Sequence, residues 1–318
     1  MKPYKFKPYL KTTIWGGEMI AAFKGIKTDV TRVGESWEIS GVPGHESITA
    51  YRGLLEDNDI DMTLPALIDK FKGALVGNKV YEKYGNEFPL LIKFIDSRQN
   101  LSFQVHPNDE LAMKRHNCFG KTEMWYIIKS EPGARIYAGL NKEITPDEYE
   151  KSVKNHTFTD NIAVHESHEG DIFFLPAGRV HAIGAGNFLA EIQQTSDITY
   201  RIYDYDRRDL EGKPRELHVE QAKEAIDYNV YSEYRSSYDG TKPNTPLIEC
   251  PYFNVHRLVV QNAMKVDYHV DSFVVVICLR GEGNVNGIDV KQGETILVPA
   301  AENTLYIFGN ATFLTATM

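Results

Sequence analysis

Apolar and polar residues alternate along most of the chain in short runs broken by glycine and proline, the pattern of strands and turns. It predicts strands over 36–40, 89–96, 101–106, 123–129, 171–176, 188–194 and 198–204, then over 253–260, 273–279 and 295–298. Helical periodicity is confined to four insertions, at 63–72, 107–116, 145–154 and 217–227. Pro107-Asn108-Asp109 and Thr145-Pro146-Asp147-Glu148 open two of these with the proline and acidic residues that favour a helix N-terminus. Many strands, few helices and no strand–helix alternation predict an all-β-dominated fold built from antiparallel sandwiches or barrels.

Two stretches echo each other. GDIFFLPAGRVHAIG (170–184) and GETILVPAAENTLYIFG (293–309) each run from a glycine through an apolar strand to Pro-Ala. His181 follows Pro176 at the place where Thr304 follows Pro299. The echo predicts two related β-barrels. One spans 1–235, binds metal and carries the small helical insertions; the other spans 236–318, is degenerate and lacks a metal site. The polar stretch 231–247 reads as the linker.

Three segments carry polar chemistry inside strand patterns. In LSFQVHPND (101–109), period-two alternation puts Ser102, Gln104 and His106 on one face and Leu101, Phe103 and Val105 on the other. GKTEMWYII (120–128) sets Lys121 and Glu123 on one face ahead of an apolar run, and FFLPAGRVHAIG (173–184) delivers His181 after a tight turn. A single histidine in a strand is more often packed or exposed than ligating. A carboxylate in apolar surroundings, however, needs a cation. Gln104, His106, Glu123 and His181 together form an N/O donor set suited to zinc. His45, His116, His156, His165, His168 and His218 read as solvated, while His256 and His269 have no carboxylate partner at matching positions.

Lys93 interrupts PLLIKFID (89–96), which is otherwise apolar on both faces up to its final aspartate. It is either an edge-strand gatekeeper or a cation aimed into a cavity. Arg201, ten residues after Glu191, poses the same choice. Lys93, Lys121 and Arg201 beside a metal would form a positive pocket for an anionic small molecule.

Composition narrows the remaining classes. With 318 residues the chain holds one large or two ordinary domains, and its net charge of −9 argues against nucleic acid. Cys118, Cys250 and Cys278 show no pairing or metal spacing, and MKPYKFKPYLKTT lacks the apolar stretch of a secretory signal. The longest apolar run, 273–279, is too short to span a bilayer. These features predict a cytoplasmic protein with no membrane partner; oligomeric state is not readable.

QVHPND, GKTEMWYI, LPAGRVHAIG and EIQQTSDITYRIYDYDR, preceded by IWGG (14–17) and GESWEIS (34–40), resemble the signature segments of type I mannose-6-phosphate isomerases. The short bacterial form is the better match, since the large helical insertion of longer members is absent. The resemblance implies two cupin-type (jelly-roll) barrels and one Zn2+ ion held by His106, Glu123 and His181, with Gln104 completing the set. It implies catalytic roles for Arg201, Glu191 and Lys121, and a substrate pocket lined by Lys93, Ser102 and Lys121. The implied reaction interconverts mannose 6-phosphate and fructose 6-phosphate through a metal-stabilised enediolate. Glu191 is then either the base, its pKa raised by burial, or the partner that orients Arg201; a metal-bridged hydride shift would need no base. Two other readings stay open: a cupin isomerase for another hexose phosphate, and a non-catalytic sugar-phosphate-binding regulator. The joint presence of the ligand set, Arg201 and Lys121 argues against the regulator.

Overall fold

The predicted strands form, and they assemble into three antiparallel sheets in a computed structural model that describes residues 1–50, 59–302 and 304–318. A seven-stranded sheet is ordered Arg235–Ser236, Ile172–Leu175, Glu123–Ser130, Asn187–Gln194 and Leu90–Ser97, with Tyr9–Gly17 and Val33–Ile39 at its far side. Facing it is a five-stranded sheet of Tyr200–Tyr203, Phe103–Val105, His181–Ile183, Arg135–Leu140 and Ile162–Glu166. Trp125, Ile127, Ile136, Leu175, Ile183 and Leu189 pack in one core cluster drawn from both sheets. The arrangement is the jelly-roll expected, although the sheets do not join into one continuous hydrogen-bonded ring.

The C-terminal part supplies six strands of an eight-stranded sheet, and Tyr4–Lys7 and Ile48–Thr49 supply the other two; the sheet is dominated by Asn254–Asp267, Val274–Val285 and Thr304–Thr317. Two of these strands run far beyond the predicted bounds, and the third was not predicted. Asn254–Asp267 and Thr304–Thr317 pair along their whole length, so cross-strand bonds carry them through polar residues that break the local pattern. Val276, Cys278, Ile288, Ile296 and Phe313 fill the interior. Thr304, the counterpart of His181, donates its hydroxyl to Asp267 at 2.7 Å instead of facing a metal.

All four predicted helices are present, as Leu64–Phe71, Asp109–His116, Pro146–Lys154 and Val219–Ala225. Thr145 and Glu148 form a reciprocal capping box, and Asn108 accepts from the Leu111 N–H at 2.9 Å. Among the described residues no helix is long and apolar enough to cross a membrane.

The stretch 231–247 is not a free linker. Arg235–Ser236 pairs with the edge of the seven-stranded sheet, and the Tyr234 hydroxyl donates to the Leu140 carbonyl at 2.8 Å. Conversely, Tyr4–Lys7 at the chain's start pairs with Thr295–Val298 of the C-terminal sheet. We propose that the chain comprises two units divided near residue 235, with this first strand and Ile48–Thr49 beside it lent to the second unit.

A buried ion pair joins the two parts. Lys24 Nζ lies 2.7 Å from both oxygens of Glu38 and donates to the Gly293 carbonyl at 2.6 Å. Ser36 Oγ also donates to Glu38, at 2.6 Å. Removing one partner strands the other charge out of water. Lys24→Met is therefore expected to cost about 3 kcal/mol in urea unfolding, and Lys24→Met/Glu38→Gln less than the single change.

Candidate active site

Strand register builds the site from two rows of residues. In the five-stranded sheet Arg201 pairs with Gln104, and Gln104 pairs with His181. In the seven-stranded sheet Trp37, Lys93, Glu191 and Trp125 stand side by side across four strands. Glu123 lies two residues before Trp125, hence on the same face. His181 is brought in by the turn at Pro176-Ala177-Gly178. Gly178 has φ +91°, and a Cβ there would meet the Ala225 carbonyl oxygen at 3.0 Å, so glycine suits that corner.

The donor atoms converge. His106 Nε2 lies 3.5 Å from Glu123 Oε2, and His181 Nε2 lies 3.3 Å from Glu123 Oε1. One ligand atom from each residue fits within a 4.8 Å span, the one His/Cys/Asp/Glu cluster of this kind among the described residues. His106 Nδ1–H donates to the Ile198 carbonyl and His181 Nδ1–H to the Arg179 carbonyl, both at 2.9 Å. Each bond turns a bare Nε2 toward Glu123, the arrangement that orients metal-ligating histidines. His106 Nε2 and both Glu123 oxygens are buried without a hydrogen-bond partner. Such atoms are costly unless something satisfies them, and three acceptors aimed at one point fit a divalent cation. Gln104 Nε2 lies 3.3 Å from His181 Nε2. Turning that amide over presents its oxygen to the same point.

Electrostatics sharpen the fit. Burial, then Lys121, hold His106 well below its ordinary pKa, and burial lowers His181 to about 4. Both imidazoles are thus neutral and ready to ligate. Burial first, and the Glu191 charge second, push Glu123 above the usual carboxylate range. Loading a divalent ion at neutral pH is therefore expected to release about one proton, from Glu123 and not from the histidines. Apparent affinity then rises with pH until the Glu123 proton is lost, and levels off above. Calorimetry of zinc binding in buffers of different ionisation enthalpy reads this count, and Glu123→Gln should release none.

Beside the ligands opens a cavity of about 410 Å3, lined by Trp15, Ser102, Gln104, Lys121, Glu191 and Arg201. His106, Glu123 and His181 sit directly behind Gln104 and Lys121. A larger groove of about 600 Å3 lies near Asp96 and Lys129, away from any ligand cluster. The two readings of Lys93 are resolved against an edge position. Its strand lies between two others, and its Nζ is 3.1 Å from Glu191 Oε1. Arg201 Nη1 donates to the Glu216 carbonyl at 2.8 Å, while its Nε is buried without a partner.

Several histidines differ from expectation. His218 Nδ1 accepts the Arg201 backbone N–H at 3.3 Å, whereas His116 is exposed as expected. His45 stacks on Tyr9, and His165 lies in a strand against Phe173 and Tyr234. These neighbours come from distant sequence, so a polar local context gave no sign of them. Five charged pocket residues escaped the sequence reading: Lys11, Glu35, Asp197, Asp209 and Arg215. Alternation in GESWEIS does place Glu35 on the face of Trp37, a signal that went unused; Arg215 has none.

Comparison with known proteins agrees with this geometry. Residues 4–131 match the model of the phosphomannose isomerase type I catalytic domain. Mannose-6-phosphate isomerase ManA of Bacillus subtilis (strain 168) is 36% identical over 309 residues, covering 94% of this chain and 93% of its own. A mannose-6-phosphate isomerase of Streptococcus mutans is 28% identical, covering 94% and 92%. The crystal structure of the Bacillus subtilis mannose 6-phosphate isomerase superposes with a TM-score of 0.90 at 28% identity over all of both chains. Similarity at this level, running nearly end to end on both sides, places the chain in the type I phosphomannose isomerase family.

Proposed function

We propose that this chain interconverts mannose 6-phosphate and fructose 6-phosphate, using one Zn2+ ion held by His106, Glu123, His181 and Gln104. The observation that carries the reading is the set of unpartnered donor atoms on His106 and Glu123 behind a cationic pocket. When bound, the ion supplies Lewis acidity to substrate oxygens on which charge develops as a proton leaves C2.

Glu191 accepts that proton and returns it to C1. Burial works to raise its pKa, but Lys93 and then Lys121 outweigh burial and hold it below the usual value. It is therefore ionised, contrary to the expectation of a pKa raised toward neutrality. Its Oε2 accepts from Trp125 Nε1 at 2.8 Å, while Oε1 faces the Lys93 ammonium at 3.1 Å and keeps acceptor capacity for the substrate proton. Lys121, 3.8 Å from Glu123, and Ser102 meet the sugar oxygens. Arg201 closes on the substrate and is the phosphate's main cation; Arg215 and Lys11 line the same cavity, each beside one carboxylate, Asp204 at 3.1 Å and Glu35 at 3.8 Å. The phosphate's binding energy then positions the reacting carbons. We place the reaction in the cytoplasm, which suits three free cysteines.

The test is a coupled assay on chelator-treated protein before and after adding zinc. Activity lost and restored with zinc supports the reading, and full activity without metal overturns the zinc requirement. Full retention of C2 deuterium at C1 in single turnover would replace proton transfer by a hydride shift.

A further inference from the structure

Lys93 lines the cavity as expected, but its ammonium is already engaged on both sides. It lies 3.1 Å from Glu191 Oε1 and 3.7 Å from Glu35 Oε2, and 5.1 Å from the centre of the Trp37 ring. Each carboxylate is anchored by an indole. Trp37 Nε1–H donates to Glu35 Oε2 at 2.7 Å, and Trp125 Nε1–H donates to Glu191 Oε2 at 2.8 Å. Lys93 is 4% exposed and Glu191 3%, so water does little to screen the group. A phosphate brought to Lys93 would meet two carboxylates around one cation, and repulsion would outweigh attraction. Lys121 is different: its one ion-pair distance is the 3.8 Å to Glu123.

We propose that Glu35 is a positioning residue that, with Glu191, holds Lys93 as a shared counter-ion, so that Lys93 fixes the Glu191 carboxylate and takes no part in binding the substrate phosphate. The proposal rests on the isomerase reading above. Glu35 draws the ammonium partly away from Glu191. Glu191 Oε1 has the lysine 3.1 Å away, a close ion pair that falls short of an aligned hydrogen bond. Without the Glu35 charge, Lys93 swings onto Oε1 and occupies the acceptor atom. Glu35→Gln should thus lower kcat by roughly tenfold with KM changed by less than about twofold, because ground-state binding is untouched. Glu35→Asp keeps the charge and should recover most of the loss.

The experiment has two arms on the zinc-loaded full chain. Steady-state kinetics on mannose 6-phosphate compare wild type, Glu35→Gln and Glu35→Asp. Inorganic phosphate is titrated by calorimetry into wild type, Lys93→Met and Glu35→Gln/Lys93→Met, the last removing one charge of each sign should the single variant fail to fold. Phosphate affinity within about twofold of wild type in the Lys93 variants, together with the kcat loss in Glu35→Gln, is the expected result. A tenfold or greater weakening of phosphate binding, or a raised KM at unchanged kcat in Glu35→Gln, overturns the proposal. A wild-type protein inactive on mannose 6-phosphate overturns the isomerase reading instead, while the phosphate titration, which needs no turnover, still decides whether Lys93 holds phosphate.

Discussion

Glu123→Gln is expected to lower kcat/KM by on the order of 10⁴-fold, about 5.5 kcal/mol, while leaving the fold intact. The substitution keeps size and shape but removes the carboxylate that lies between His106 Nε2 and His181 Nε2. Two neutral imidazoles and amides cannot balance a dication buried this deeply, so metal content by mass spectrometry should fall with activity. Stability should move in an unusual direction. In metal-free wild type the Glu123 oxygens are buried without partners, a state that costs free energy. Metal-free Glu123→Gln should therefore unfold at the same or higher urea concentration than metal-free wild type. Zinc should stabilise the wild type by mass action and leave the variant unmoved. A variant that retains zinc and turns over within tenfold of wild type would remove Glu123 from the ligand set.

Arg201→Met should cost on the order of 10³-fold in kcat/KM, about 4 kcal/mol, at unchanged zinc content. Its Nη1 is tied to the Glu216 carbonyl and its backbone N–H to His218, so the side chain is held in the wall of the pocket, with Nε buried and unpartnered. A lysine supplies a point charge without the planar fork and cannot hold Glu216 while also reaching the substrate. Arg201→Lys should recover only about tenfold of the loss. Steady-state kinetics on zinc-loaded protein decide the matter: Arg201→Lys within threefold of wild type would show that charge alone suffices.

Much of the site was legible residue by residue. Alternation in 101–106 separated Gln104 and His106 from the apolar face, and a lone carboxylate before an apolar run marked Glu123. The Pro-Ala echo isolated His181; Thr304, at the matching place, donates to Asp267. Lys93 stood out as an anomaly, but its neighbours on both sides were invisible. Glu35 comes from a strand some sixty residues earlier, and Glu191 from one about a hundred later. Arg215 belongs to a loop with no periodic pattern at all.

The sequence by itself determined where the predicted strands and the four helical insertions lie and which face of each such strand is apolar, and it singled out the side chains proposed for metal and acid–base chemistry. These are local properties: backbone sterics impose a period of two on a strand, and caps declare a helix start within a few residues. Tertiary structure alone decided that Arg201, Gln104 and His181 share one cross-strand row, and that Trp37, Lys93, Glu191 and Trp125 share another. It also decided that the first strand joins the last sheet. Partner choice and register are long-range, set by which apolar faces bury together and by a slip of one residue reversing every side chain. No window of sequence contains that comparison, so the chemistry could be named from the chain but its geometry waited for the fold.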